Sequence, residues 1–262
     1  MNHFQLAHNL VVKAGTRLHQ PVTDATEALF DAVCRSKNCR FEESLSDSPF
    51  VESIWQTQLE SLDPFIFPAV SQWGLVVTKL NGKTILTVRG PGTKATLAHC
   101  PGDAEFFGII FKQGVFMPHL PPGALRDRTD VVLPEATSTS FWLNGSAWQY
   151  PTYENVETFV DRVVHDGMLV RDEIVDAVLQ NQFIDVSLRS IQRRFKHATG
   201  LTHSIILQME RARFAKVLLQ QGTSIMDTMD QAGYYDQSHL TRSLKRFIGR
   251  TPAQIAQSSQ LK

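Results

Sequence analysis

Arginine and glutamine can make paired hydrogen bonds to a base edge in the major groove of duplex DNA, arginine to guanine and glutamine to adenine. In this 262-residue chain such residues gather in two stretches, Arg189, Gln192 and Arg193 in one and Gln237, Ser238 and Arg242 in the other. Residues 187–202 and 236–251 superpose at a separation of 49 positions: Ile191 falls on Leu240, Arg193 on Arg242, Phe195 on Leu244, Lys196 on Lys245, Gly200 on Gly249 and Thr202 on Thr251. Chance does not keep apolar, basic and glycine positions together in this way. In each copy a side-chain oxygen, from Ser187 or Asp236, can cap a helix whose apolar residues turn inward and whose basic residues stay outside. Base contacts would fall on the first two turns of each helix. Lys196, Lys245 and Arg246, further along, would meet phosphates, which add affinity without sequence information. Arg194 suits either role. A lone basic amphipathic helix reads as a solvated face, its arginine pairs worth ~0–1 kcal/mol each; two copies with shared ends read as two recognition helices.

These helices need elements to hold them. Thr223-Ser224 can cap a short helix over 225–232 that ends at Gly233, a residue free to take positive φ, so helix, glycine turn and basic helix form a helix-turn-helix. The same register predicts a scaffold helix over 172–180 for the first copy, with Ile174, Val175, Val178 and Leu179 inward, although its turn, Ile184-Asp185-Val186, lacks glycine. Between the copies, 204–221 reads as one connector with Ile205, Met209, Ala212, Lys216 and Leu219 on one side and Leu207, Phe214 and Leu218 widening the stripe. At ~1.5 Å per residue it would be about 27 Å long, enough to hold two recognition helices roughly one DNA turn apart. Another helix, with Val156, Phe159, Val160, Val163 and Val164 on one face, stops near Gly167, and Pro252 can open a short closing helix.

The amino-terminal part differs in texture. Residues 75–80 and 83–88 flank Asn81-Gly82, which supplies the two positive φ values of a type I′ hairpin turn. Residues 105–111 and 130–133 read as further strands, 24–34 as a helix, and the whole as a partly closed antiparallel sheet. Trp55, Trp73, Trp142, Trp148, Phe106 and Phe107 could line an effector pocket but read first as core. The fold class is therefore α+β: a β-rich domain over 1–150, for sensing or self-association, followed by an all-α domain over 151–262 with two helix-turn-helix units joined by a linker helix. A net charge of zero hides an asymmetry, since residues 1–170 hold 13 Lys+Arg against 18 Asp+Glu, or −5, and residues 171–262 hold 13 against 8, or +5. A basic module beside an acidic one suits a polyanion-binding protein. No apolar run approaches the ~18 residues of a membrane span, and the start of the chain lacks signal-peptide order, which places the protein in the cytoplasm and off the membrane. Cys34, Cys39 and Cys100 fit no disulfide or zinc pattern, and His99, His119 and Asp103 form no catalytic motif. No metal, cofactor or enzymatic activity is expected.

The run from Ala232 to Phe247, with Gly249 and Thr251-Pro252 behind it, resembles the signature of the AraC/XylS family of bacterial transcription regulators. Ser187, Ile191-Gln192-Arg193-Arg194-Phe195 and Gly200 resemble the family's first recognition helix, and Arg211, Ala215 and Leu218-Leu219 its linker helix. The resemblance covers about 155–258 and implies a seven-helix domain that binds operator or promoter DNA and usually recruits RNA polymerase. It places the family's base contacts at the positions named above. His203 departs from it, standing where the second copy has Pro252. Residues 1–145 resemble the family's sensor regions loosely, which leaves the effector open and leaves room for a homodimer. The resulting expectation is a sequence-specific transcription regulator, an activator rather than a repressor. Two rivals are a DNA-targeted enzyme or repair protein and a protein–protein module with a vestigial DNA domain.

Overall fold

The structure is a computed structural model that describes residue 26 and residues 40–59, 64–128, 131–180 and 182–260. Cys34, Cys39 and, apart from Thr26, the helix expected over 24–34 lie outside the described residues.

The Asn81-Gly82 hairpin forms as the sequence demands. Strand β4 (Gly74–Leu80) runs into β5 (Lys83–Arg89) through Asn81 and Gly82 at φ 50° and 74°. It belongs to a six-stranded antiparallel sheet ordered β1 (Arg40–Leu45), β2 (Val51–Leu59), β7 (Ala104–Phe111), β4, β5, β9 (Val131–Leu133). A short ribbon pairs β3 (Phe65–Phe67) with β6 (Thr96–Ala98). β8 (Val115–Phe116) precedes a single-turn helix, α1 (Pro122–Leu125). A three-stranded sheet of β10 (Glu135–Thr137), β11 (Ser140–Leu143) and β12 (Ser146–Gln149) completes the β-rich region.

Alternation decides which face each side chain takes. Leu75, Val77, Leu86, Val88, Phe107 and Ile109 face a core closed by Phe141, Leu143 and Trp148 of the small sheet. Trp55, Val76 and Phe106 occupy the other face. A register shift between Val51 and Ser53 moves Val51 to the first face, as a bulge must when the side-chain period is 2. Trp55 lies directly opposite Gly108, where an added Cβ would fall 2.1 Å from the indole. Trp142 departs from the expected core role: Phe141 and Leu143 point inward, so the residue between them is turned out and 46% exposed.

Seven helices follow β12 among the described residues. The first, α2 (Val156–His165), buries Val156, Phe159, Val160 and Val163 as its periodicity predicts, and it buries them in the core of the β-rich region. The chain then forms β13 (Val170–Arg171), which pairs with β8, and enters α3 (Glu173–Leu179). From there α4 (Leu188–Thr199), α5 (His203–Gln220), α6 (Ile225–Ala232), α7 (Gln237–Phe247) and α8 (Pro252–Gln260) share a second core. The α5 linker buries Ile206, Met209, Ala212, Ala215, Leu218 and Leu219, not the expected set that included Ile205 and Lys216, which are only partly buried. Its partners α4, α6, α7 and α8 surround it on more than one side, so the buried stripe is broader than a one-sided helix would show and small residues such as Ala212 and Ala215 fall within it. The expected architecture, β-rich then all-α with two helix-turn-helix units, is what the chain adopts.

Candidate nucleic-acid interface

The second unit is built from local chemistry. Ser224 Oγ accepts from the Asp227 N–H at 3.1 Å and opens α6, which Gly233 ends at φ 69°. Three residues later Asp236 Oδ1 accepts from the His239 N–H at 2.6 Å and opens α7. Leu240, Leu244 and Phe247 anchor α7 in the core, leaving Gln237, Ser238, Arg242 and Lys245 exposed. Tyr234 fixes the turn. Its ring is buried beneath the Arg211 guanidinium, 4.8 Å from the centroid, and its hydroxyl pairs with Ser243 Oγ at 2.9 Å. Burial raises its pKa above the usual tyrosine value, with the Ser243 hydrogen bond and Arg211 acting in the opposite sense. His239, between the exposed residues, is turned edge-on against Tyr234 at 5.1 Å.

The first unit reaches the same arrangement differently. Asp172 Oδ1 accepts from the N–H groups of Ile174 and Val175 at 3.0 and 3.2 Å, capping α3. A segment without glycine leads to Ser187, whose Oγ accepts from the Ser190 N–H at 3.3 Å and opens α4. Phe195 is fully buried, while Arg189, Gln192, Arg193 and Lys196 are exposed. Arg194 is engaged: its Nη1 donates to Asp172 Oδ2 at 3.1 Å, so one carboxylate caps α3 and holds α4.

Superposing the copies places exposed Arg193 and Lys196 at the same positions as exposed Arg242 and Lys245. The sequence reasoning missed Thr241, which lines a shallow concavity with Gln237, Ser238 and Arg242. Its signal was available, because Thr241 stands 49 positions after Gln192. Arg246 is not simply outward, since its Nε donates to the Thr93 carbonyl at 3.3 Å in the β-rich region.

The model of a family described as a helix-turn-helix domain matches residues 182–258, the stretch holding both basic helices. That stretch is a helix-turn-helix domain of the AraC/XylS type. The HTH-type transcriptional regulator VirS of Mycobacterium tuberculosis, matched in two strains, is 33% identical over 102 residues, covering 38% of this chain. The match spans only 28% of that relative's length. A solved structure of ToxT from Vibrio cholerae aligns over 84% of this chain and 98% of its own at 9% identity with a TM-score of 0.34, a likeness too slight to argue from. The AraC/XylS-type domain thus rests on the sequence match and on the paired geometry of α3–α4 and α6–α7. Among the described residues no helix is long and apolar enough to cross a membrane, and no group of three or more His, Cys, Asp or Glu is placed to hold a metal.

Proposed function

We propose that this protein is a sequence-specific regulator of transcription that places α4 and α7 in successive major grooves of an operator or promoter. The observation that carries this reading is the pair of exposed polar faces, Arg189, Gln192 and Arg193 on α4 and Gln237, Ser238 and Arg242 on α7, mounted on one linker helix. Lys196 and Lys245, one turn further on, would meet phosphates, with Arg194 and Arg246 joining where their internal contacts allow. The reading is of a cytoplasmic activator that recruits RNA polymerase and carries out no catalytic step.

The β-rich region would sense a small molecule or support a homodimer. A cavity of about 50 Å³ lined by Trp55, Gln72, Trp73, Val76 and Arg89 supports sensing, although an effector would have to open it, since this volume holds only a few waters. Strand β5 ends at Arg89 and leads directly into the loop that meets α7, giving an occupied cavity a route to the DNA-facing helix.

A gel-shift titration with fragments from the protein's own genomic neighbourhood, across a salt series with competitor DNA, tests the proposal. The expected result is a site with two elements about 10 base pairs apart and affinity that falls steeply with salt. Binding that competitor abolishes in proportion to its length would remove sequence recognition.

A further inference from the structure

Each basic helix ends against the β-rich region, and the two contacts fall at equivalent positions of the repeat. After α4, Gly200 sits at φ 71° so close to α1 that an added Cβ would lie 2.7 Å from Gly123 N and from the Pro122 carbonyl carbon. After α7, Gly249 sits at φ 78°, where a Cβ would lie 2.4 Å from Ile66 Cγ2 and 3.0 Å from Ala95 Cβ. The last carbonyls of a helix have no partner within it, and here the β-rich region supplies some. Ala69 N–H donates to Phe247 O at 2.8 Å, Ala95 N–H to Arg246 O at 2.7 Å, and Arg126 Nη1 to Gly200 O at 3.5 Å.

The two docking points are joined. Asp127 Oδ1 accepts from the Thr93 N–H at 2.6 Å and from its hydroxyl at 3.0 Å, and Oδ2 stands 2.8 Å from the same hydroxyl. Asp127 N–H donates to Pro91 O at 3.0 Å, and a Cβ on Gly90 would lie 2.4 Å from Leu125 Cβ, so the two segments press together. Asp127 takes φ 55°, the left-handed region that Asp and Asn enter more readily than other side chains. A continuous path therefore runs from Gly200 O through Arg126 and Asp127 to Thr93, and from the Thr93 carbonyl to Arg246 on α7.

We propose that Thr93 and Asp127 are positioning residues that set the distance and angle between α4 and α7, and through them the half-site spacing that the protein accepts. The inference rests on the DNA-binding reading and names a specificity element outside the helix-turn-helix domain. The linker helix holds the two units in one core. The Thr93–Asp127 bridge adds a second tie at the carboxyl-terminal ends of both basic helices, so that loosening it lets their opposite, base-reading first turns swing. Changing the spacing by one base pair moves the second half-site about 3.4 Å along the duplex and about 35° around it. A braced pair of helices cannot follow that displacement, and an unbraced pair can.

The test measures affinity for the selected operator and for versions with one base pair added or removed between the half-sites. Full-length protein is compared with Asp127→Gly, which removes the carboxylate while tolerating the positive φ, and with Asp127→Asn, which keeps an acceptor. Wild type and Asp127→Asn should lose about 5-fold or more at either altered spacing. Asp127→Gly should lose at most about half as much, with unchanged affinity for a single half-site and an unchanged thermal melt. Thr93→Val, which deletes the hydroxyl but keeps the amide donor, should fall between. An Asp127→Gly spacing profile identical to wild type would overturn the proposal and leave the linker as the ruler. Equal weakening at every spacing would overturn it too, as a general loss of structure. Failure of the wild type to select any operator would instead remove the DNA-binding reading itself.

Discussion

The two helix-turn-helix units keep the same front and different backs. Both open their basic helix with a capping side-chain oxygen, follow it with a left-handed glycine and expose an arginine and a lysine at matched positions. Behind α7, the scaffold α6 packs against α5 and α7, and a glycine turn pinned by Tyr234 fixes the angle. Behind α4, the scaffold α3 is fastened to the β-rich region. Asp172 N–H donates to Gly114 O at 3.0 Å, β13 pairs with β8, and Arg171 forms an ion pair with Asp176. Burial raises the Asp176 pKa, against the opposing pull of Arg171. A duplicated motif can therefore keep its reading surface while the scaffold of one copy is set by its own turn and the scaffold of the other is fastened to the β-rich region.

The largest effects should come from the shared core, where the difference between the units disappears. Phe195→Ala and Leu244→Ala each empty a fully buried site in the same cluster and should cost about 3–5 and about 2–5 kcal/mol. Thermal unfolding of the helical part should remain a single transition in both variants; a separate early transition in either one would show that the units hold independent cores. Binding should separate the units next. Arg242→Ala should cost about 2–3 kcal/mol at one base pair and Arg193→Ala about 1 kcal/mol, because the glycine turn fixes α7 more closely than the longer segment fixes α4. Titrations against base-substituted operators would measure both, and a uniform loss at every base would assign these arginines to phosphate.

Smaller effects sharpen the contrast in how the units are held. Asp172→Ala loses a cap and leaves Arg194 unpaired, so about 2 kcal/mol is expected, against about 1 kcal/mol for Asp236→Ala, which loses a cap alone. Urea unfolding of the pair would show equal costs if the Arg194 contact contributes nothing. The smallest concerns His203, the residue that replaces Pro252 of the second copy and packs 4.7 Å from the Phe195 ring. Burial lowers its pKa, so the unfolded chain binds the proton first and folding stability falls as pH drops through about 6.5, levelling off below the lowered value. His203→Gln should flatten that part of the stability–pH curve, and a curve unchanged by the substitution would mean that other groups set it.

Much of this was legible because it is local. Ser187, Ser224 and Asp236 cap within three residues, and Gly233 and Asn81-Gly82 announce their own backbone. A second hairpin carries the same signal, Asn144-Gly145 at φ 49° and 80° between β11 and β12. Strand β2 was hidden by its chemistry, because its buried face carries Ser53 and Thr57 among Val51, Trp55 and Leu59 and so breaks the apolar alternation. A one-sided stripe puts Lys216 of α5 inside, whereas partners on several sides decide which of its residues are covered and bury Ala215 instead. The Thr93–Asp127 bridge left no trace in the sequence, since two exposed polar residues 34 positions apart matter only once the chain has brought them together.

The helix α2 limits how this gene could be rearranged. Its apolar stripe, Val156, Phe159, Val160 and Val163, answers to the β-rich core although it lies after the last β-hairpin. A cassette begun at residue 151 and transplanted onto another protein would carry that stripe without its counterpart, an exposed greasy surface inviting aggregation. One begun near Asp172 would leave the stripe with its owner, and recombination that respects side-chain allegiance would cut there.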